Sequence, residues 1–251
     1  SNYGERNNMI AFLTSSPTGP LQPEGQEIAR AFDLANDFVR KLMRVWPREA
    51  NCLLICAEPD QIQRNTEMGQ RLADSILLTG LALSQLAICD NRNAEQLPAL
   101  LTGSNVVILS GGHTLTQNLF FRRLRLRQLL QSFDGILLGI SGGSMNCADV
   151  VYAQPEWDGE VLNPAYERFP RGLGLTDIMI LPHYQILRNK SLDGKRLIED
   201  VAIPDSMGRT IYGLPDGSYI RLANGTAEFY GEIWVIQDGI ITRKTFNSEE
   251  G

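Results

Sequence analysis

Residues 135–152, GILLGISGGSMNCADVVY, contain the pattern that most strongly indicates how the chain folds. An apolar run at 136–138 leads into Gly-Ile-Ser-Gly-Gly at 139–143 and then into a segment that can be helical. This is the G-x-S-x-G form, in which a serine lies on a sharp turn between a strand and a helix. Small neighbours let the turn close, and the hydroxyl of Ser141 then projects above the sheet. Other glycine-rich turns match the same pattern, so it does not by itself identify Ser141 as a nucleophile. Further evidence has to come from the rest of the sequence.

Short apolar runs followed by turn residues recur through the first 150 residues, at 9–13, 52–56, 106–109 and 136–138. Segments with helical spacing lie between them, at 26–45, 65–83 and 116–133. Strands that alternate with helices are joined by right-handed crossovers into a parallel sheet with helices on both faces. The sequence therefore predicts an α/β fold.

The pattern changes after residue 144. Residues 153–171 are rich in Pro, Gly and charge and predict a long loop, followed by a strand at 177–181 and a helix at 192–203. Three apolar runs follow residue 210, separated by the hairpin signals Asn224-Gly225 and Asp238-Gly239, which predict short antiparallel strands. With no repeat or linker in view, we expect a single α/β domain over residues 1–251.

The composition excludes several classes of function. A formal net charge of −6 argues against nucleic-acid binding, which requires a basic surface. No apolar run approaches the roughly 20 residues of a membrane span, and the N-terminus lacks the features of a signal peptide, so we expect a cytoplasmic protein without membrane contact. The four cysteines and two histidines lack metal-ligand spacing, so neither a metal nor another cofactor is expected.

Both histidines directly follow strand-like runs, where a parallel sheet places its ligand crevice. A serine becomes a good nucleophile only when a base takes its proton. His183, in Leu-Pro-His at 181–183, is the candidate base because Pro182 stiffens the end of its strand. The other histidine, His113, lies in a second glycine turn, Ser-Gly-Gly-His-Thr at 110–114, whose amides can contribute to an oxyanion hole.

The base also needs a carboxylate that holds its tautomer. The candidates are Asp149, Glu156, Asp158 and Asp216. Asp216 differs from the others because it lies between Pro215 and Gly217 after an apolar stretch, in a turn rigid enough to present a side chain.

Residues 120–127, FFRRLRLR, carry the most concentrated positive charge of the chain. On a helix they form a solvated basic face with apolar residues turned inward, or a contact for an acidic partner or substrate.

Four motifs together resemble the peptidase S51 family, which includes aspartyl dipeptidase (peptidase E) and cyanophycinase. They are Ser-Gly-Gly-x-Thr at 110–114, Gly-x-Ser-x-Gly at 139–143, Leu-Pro-His at 181–183 and Gly-Leu-Pro-Asp-Gly at 213–217. Their order and approximate spacing match over roughly residues 9–236. The resemblance implies a class I glutamine-amidotransferase-like (flavodoxin-like) three-layer sandwich, mostly parallel, with antiparallel C-terminal strands. It also implies a serine peptidase that cleaves small peptides, as a dipeptidase does, through an acyl-enzyme.

Residue by residue, the resemblance makes Ser141 the nucleophile and His183 the base. It makes the amides of Gly112 and Gly142 the oxyanion donors, with Gly111 shaping the loop. Aspartyl dipeptidases have a Glu where this chain has Asp216, which implies Asp216 as the triad acid. A second family position for the acid lies some 15 residues after the nucleophile, near Glu156 or Asp158.

Three positions depart from the family pattern. Gly142 replaces an alanine and is expected to loosen the turn, and His113 replaces a glycine of the loop motif. Asp193 occupies the position of the arginine that recognises an acidic substrate side chain, so a strict preference for aspartyl peptides is not expected. The basic residues that could compensate are Arg188, Lys190, Lys195 and Arg196.

These departures leave an alternative open, a noncatalytic protein that keeps the fold and binds a small ligand. An amidotransferase-like enzyme of this fold would normally have a cysteine at the elbow, so Ser141 argues against it. The 153–171 loop can act as a lid over the site. A homodimer is compatible with the sequence if that loop or a sheet edge is shared.

Overall fold

The computed structural model describes residues 8–247. Within them ten strands form one mixed sheet in the order β3-β2-β4-β5-β1-β10-β11-β9-β6, with β12 beside β11, and a separate hairpin holds β7 and β8. The strands are β1 (Ile10–Thr14), β2 (Asn51–Ile55), β3 (Gln85–Cys89), β4 (Val106–Leu109), β5 (Ile136–Ile140), β6 (Met179–Pro182), β7 (Ser191–Leu192), β8 (Lys195–Arg196), β9 (Thr210–Leu214), β10 (Tyr219–Ala223), β11 (Thr226–Gln237) and β12 (Ile240–Phe246). The helices are α1 (Phe38–Val45), α2 (Ile62–Thr79), α3 (Leu97–Thr102), α4 (Thr114–Leu124), α5 (Leu126–Leu129), α6 (Gly142–Met145), α7 (Tyr184–Leu187) and α8 (Ile203–Asp205).

Strands β1 to β5 run parallel to one another and carry the main core. Successive side chains of a strand point to opposite faces of the sheet. Val106 and Ile108 of β4 accordingly pack into one hydrophobic cluster, and Val107 and Leu109 into another on the opposite face. Burial on both faces explains why these strands are continuous apolar runs. The predicted α/β fold with a mostly parallel sheet is confirmed.

The C-terminal strands are antiparallel, as the turn signals predict. Strands β10 and β11 are joined by Asn224 and Gly225, and β11 and β12 by Asp238 and Gly239. All four turn residues have positive φ, at 52°, 72°, 48° and 80°, which is the signature of the type I′ turn.

Strand β11 joins the two parts of the sheet. Its first half pairs with β10, whereas its second half pairs with β9 and β12. Between the halves Gly231 has φ 88°, and a Cβ atom there would lie 2.7 Å from Ser218 Oγ. Because Thr14 pairs with Tyr219 and Tyr219 with Tyr230, the carboxyl end of β1 lies level with the middle of β11, with β10 between them. The carboxyl end of β9 approaches the same point from the other side, where Gly213 pairs with Trp234.

Two predicted helices are wrong in extent. The segment predicted as a helix over 26–45 is irregular up to residue 34, and its α-helix begins only at Phe38. Side chains replace helical backbone bonds in that segment, since Gln22 bonds both the N–H and the carbonyl of Ile28. The helix predicted over 116–133 breaks at Arg125, where φ is 54°.

The sequence also mispredicted two smaller elements. The helix expected over 192–203 begins at residue 197, as a π-helix that continues into α8, because the hairpin of β7 and β8 occupies 191–196. Strand β3 was not predicted at all. It lies at the edge of the sheet and only Cys89 of its five residues is buried, so it lacks the fully apolar run of the inner strands.

None of the helices between residues 8 and 247 combines the length and the apolar character that a bilayer span requires.

Gly143 permits the tight packing of α6 against β4. A Cβ atom at this position would overlap the carbonyl oxygen of Leu109 and lie 2.6 Å from its carbonyl carbon. We expect Gly143→Ala to lower the free energy of unfolding by roughly 1–3 kcal/mol, because the backbone of β4 has to move. Urea unfolding measures this. Gly103→Ala is the control, since its Cβ would meet only ordinary contacts at 3.7 Å and beyond. Equal effects of the two substitutions would contradict the packing argument.

Candidate active site

Ser141 lies directly after β5, in a backbone conformation that L-residues rarely adopt. Its φ is 52° and its ψ is −113°. Such strain persists only where the surroundings hold it, here through the bond from Ser141 N–H to the carbonyl of Thr14 (3.1 Å) and the start of α6. Gly139 allows Ser144 to approach so closely that a Cβ there would lie 2.8 Å from Ser144 Oγ. The glycines around Ser141 thus close the sharp strand-to-helix turn.

The structure brings Ser141, His183 and Asp216 into one hydrogen-bonded row. Ser141 Oγ lies 2.8 Å from His183 Nε2, and His183 Nδ1 lies 2.6 Å from Asp216 Oδ1. His183 follows β6 and Asp216 follows β9, so both come from the part of the sheet that pairs with the second half of β11. The backbone of His183 is left-handed, with φ 56°. The imidazole is therefore positioned to accept the proton of Ser141 on Nε2 while Nδ1–H donates to the carboxylate.

Two residues that the sequence reasoning missed hold this row. Ser15 Oγ donates to Asp216 Oδ1 (2.7 Å) and accepts from the backbone N–H of His183 (2.8 Å). Gln185 Nε2 donates to Asp216 Oδ2 (2.7 Å), while Asp216 N–H donates back to Gln185 Oε1 (2.9 Å). The sequence could have indicated Ser15, because this residue directly follows β1 and so lies at the same edge of the sheet as Ser141. No motif indicates Gln185.

These bonds determine the charge of Asp216, whose side chain is only 1% exposed. Burial alone would raise the pKa of this carboxyl. The hydrogen bond from His183 and its charge, with the bonds from Ser15 and Gln185, outweigh burial and hold the pKa below its usual value. Asp216 is therefore a carboxylate at neutral pH, the form that stabilises an imidazolium.

The other candidate acids lie elsewhere. Within residues 8–247 the side chain of His183 makes hydrogen bonds only with Ser15, Ser141 and Asp216. Glu156 instead accepts from the N–H of Thr114 (3.2 Å) and from its hydroxyl. Asp158 is exposed on the loop, and Asp149 pairs with two arginines.

The glycine turn after β4 lies against the nucleophile. A Cβ on Gly111 would lie 3.3 Å from Ser141 Cβ, and one on Gly142 would lie 3.0 Å from the carbonyl oxygen of Gly112. The amides of Gly112 and Gly142 have no hydrogen-bond acceptor in the described part of the chain. Both are free to donate to a ligand beside Ser141. The close contact at Gly142 also corrects the expectation of a looser turn, because the space for an alanine methyl is already filled.

His113 and Asp193, two of the residues that depart from the family pattern, hold the loop at 153–171. The ring of His113 stacks on Trp157 with centroids 3.6 Å apart, and its Nε2 lies 2.9 Å from Glu160 Oε2. Asp193 accepts from the backbone amides of Gly159 (2.8 Å) and residue 161 (3.0 Å). Asp193 is therefore a loop anchor in this structure.

Two clefts open on either side of Ser141 and His183. The larger, about 430 Å³, also has Gly111 and Gly112 in its lining, with three arginines: Arg30, Arg64 and Arg71. The smaller, about 260 Å³, is lined by the start of the 153–171 loop, including Glu156 and Trp157. Of the four basic residues expected to compensate for Asp193, Lys190 lines this smaller cleft. Arg188 stacks over Trp234, and Arg196 pairs with Asp200.

An α/β fold with a strained serine elbow, a histidine and a buried carboxylate defines a hydrolase-like site. The family model for peptidase family S51 matches residues 61–230, a segment that contains the three residues of the row. The chain belongs to peptidase family S51.

Solved structures with the same fold include two described as peptidases. One is a peptidase from an acI-B1 Actinobacterium, with a TM-score of 0.60 and 13% identity, covering 96% of this chain and 94% of that chain. The other is a putative peptidase E protein from Listeria monocytogenes EGD-e, with a TM-score of 0.57 and 14% identity, covering 89% and 98%. Comparison with curated proteins finds no matching relative. These likenesses establish the flavodoxin-like fold.

The lowered pKa of Asp216 predicts how its contribution to stability depends on pH. The pKa of Asp in an unfolded chain is about 3.9, and the pKa of Asp216 in the folded protein lies below that value. The contribution is therefore fully present above about pH 4 and is lost as the pH falls through the folded pKa. We expect Asp216→Asn to lower the free energy of unfolding at pH 7, by a deficit that shrinks below pH 4. Urea unfolding across pH measures it, with exposed Asp134→Asn as the control. A deficit independent of pH would contradict the assignment.

The pKa of Glu156 is shifted in the opposite direction, so the effect of this carboxyl on stability depends on pH in the opposite sense. Burial raises the pKa of this carboxyl, and the bonds from Thr114 only partly oppose it. Its charged form is thus unfavourable in the folded state above the unfolded pKa. We expect Glu156→Gln, which keeps an oxygen for Thr114, to raise the melting temperature at pH 8 and to lose this advantage near pH 4. Asp158→Asn on the same loop is the matched control. A lower melting temperature of Glu156→Gln at pH 8 would disprove the prediction.

Proposed function

We propose that this S51 member is a serine peptidase that hydrolyses a peptide bond in small peptides, as a dipeptidase does, through an acyl-enzyme on Ser141. The observation that carries the proposal is the row in which Ser141 Oγ lies 2.8 Å from His183 Nε2 and His183 Nδ1 lies 2.6 Å from Asp216. The geometry matches that of a nucleophile, a base and an orienting acid.

In the first half-reaction His183 Nε2 takes the Ser141 proton as Oγ attacks the peptide carbonyl carbon. Asp216 accepts from Nδ1–H and stabilises the imidazolium that forms. The negative charge that develops on the carbonyl oxygen is met by the amides of Gly112 and Gly142. His183 then gives its proton to the leaving amine, the carbon–nitrogen bond breaks, and an ester to Ser141 remains.

In the second half-reaction water replaces the departed amine. His183 removes a proton from that water as its oxygen attacks the ester carbonyl, and the same amides receive the charge. Collapse of this intermediate returns the proton to Ser141 Oγ and releases the new carboxylate. Ser15 and Gln185 contact Asp216 and serve as positioning residues, because they keep the carboxylate in line with Nδ1 through both halves.

The surroundings of the row support a short substrate. The clefts on the two sides of Ser141 measure about 430 and 260 Å³, which is room for a few residues. Loop 153–171 forms a wall of the smaller cleft and is held through His113 and Asp193. We do not propose a preference for aspartyl peptides, because Asp193 is acidic and already accepts hydrogen bonds from the loop. Lys190 and the three arginines of the larger cleft offer cations for substrate carboxylates.

The test is labelling of the purified protein with a fluorophosphonate probe and peptide mapping, followed by hydrolysis of a dipeptide library. We expect labelling at Ser141 that is lost in Ser141→Ala and His183→Ala. We also expect each variant to lower kcat by roughly 10⁴-fold or more, since triad members act as a unit.

Ser132→Ala is the matched control, because Ser132 is exposed and precedes β5, at the opposite end of that strand from Ser141. It should leave both labelling and turnover unchanged. A folded wild-type protein that is neither labelled at Ser141 nor active on any dipeptide would overturn the proposal. A rise in melting temperature with a small ligand would then favour the noncatalytic binding protein.

A further inference from the structure

A third cavity, of about 690 Å³, lies outside both clefts and shares no lining residue with them. Four arginines line it: Arg122, Arg125, Arg127 and Arg171. Three of them belong to the basic segment at 120–127, for which the sequence predicted a solvated helix face or a contact for an acidic partner or substrate. The backbone at Arg125 is left-handed, with φ 54°, and separates α4 from α5. This change of direction lets Arg122 of α4 and Arg127 of α5 line the same cavity. We call it the arginine cavity.

The arginine cavity carries more positive than negative charge. Arg127 and Arg171 share one oxygen, Asp149 Oδ1, at 2.8 and 3.1 Å. Arg122 reaches only the half-exposed Glu167, at 3.4 Å. Arg125 has no carboxylate partner among residues 8–247. Four guanidinium groups thus face two carboxylates, in a chain whose net charge is −6.

The wall of the cavity also contains an unsatisfied acceptor. Asn118 is 1% exposed, and its amide nitrogen donates to Asn146 Oδ1 (3.0 Å) and to the carbonyl of Arg171 (2.8 Å). Within residues 8–247 its Oδ1 has no hydrogen-bond partner. A buried acceptor without a partner costs free energy, so an occupant that brings a donor is favoured at this wall. Phe121 and Leu173 add apolar surface.

We propose that the arginine cavity is a binding site for a small polyanion that bears carboxylate or phosphate groups and a hydroxyl donor. The planar fork of arginine matches both kinds of anion through paired hydrogen bonds. Arg125 is the residue with a guanidinium left entirely for the ligand. The site is separate from the proposed peptidase chemistry, because within residues 8–247 its lining side chains make no hydrogen bond or ion pair with Ser141, His183 or Asp216.

Calorimetric titration of the full chain at low ionic strength tests the site. The two probes are citrate and pyrophosphate, and the tighter of them identifies the carboxylate or the phosphate source. We expect one site in the wild type, weaker binding at high salt, and affinity reduced roughly tenfold or more in Arg125→Gln, because hydrogen bonds between charged groups are lost. Arg122→Gln is a second variant with the same expectation.

Two controls remove the same charge elsewhere. Arg71→Gln alters the larger cleft beside Ser141, and Arg48→Gln alters an exposed arginine that lines none of the three cavities. Both should bind the probe as the wild type does. The proposal is overturned if neither probe binds, if Arg125→Gln and Arg122→Gln bind unchanged, or if Arg71→Gln alone loses binding. The proposal is also overturned if the wild type and all variants fail to bind either probe while light scattering shows a dimer that dissociates in Arg125→Gln. The arginines would then form an interface between two copies of the chain.

Discussion

Strand β11 joins the two parts of the sheet on which the site depends, and its pairing partners change at Gly231. Gly231 has a positive φ, and a Cβ atom there would collide with the side chains of Asn36 and Ser218, so this position in β11 requires glycine. One part of the sheet carries Ser141 at the end of β5, and the other carries His183 and Asp216 at the ends of β6 and β9. These strand ends meet because the carboxyl end of β1, which pairs with β5, and that of β9, which pairs with β6, both lie level with the middle of β11.

The second constraint is electrostatic. Asp216 is almost fully buried, where an unpaired carboxylate is unfavourable. Its two oxygens accept from His183, Ser15, Gln185 and the backbone N–H of Leu21. These donors come from both parts of the sheet, since Ser15 follows β1 whereas His183 and Gln185 follow β6. The carboxylate therefore orients the imidazole and also ties the two parts of the sheet together.

Several features could be read from the sequence because they depend on a few adjacent residues. The elbow at 139–143 needs glycines on both sides of its serine, and the Asn-Gly and Asp-Gly pairs need positive φ at both turn residues. The inner strands are apolar throughout because both of their faces are covered. Features that depend on distant residues were missed or mispredicted. Strand β3 is recognisable only by its pairing with β2, and the segment at 26–34 is held by side-chain bonds in place of helical ones.

The α/β class, the resemblance to peptidase family S51 and the candidate residues Ser141, His183 and Asp216 at strand ends could all be inferred from the sequence alone. The tertiary structure decided which carboxylate faces His183, because Asp149, Glu156, Asp158 and Asp216 are chemically alike and differ only in what the fold places beside them. It decided that His113 and Asp193 anchor the 153–171 loop, and that the basic segment bends around a cavity at Arg125. Local backbone preference is encoded in neighbouring residues, whereas contact between residues far apart in the chain exists only once the strands of the sheet have paired.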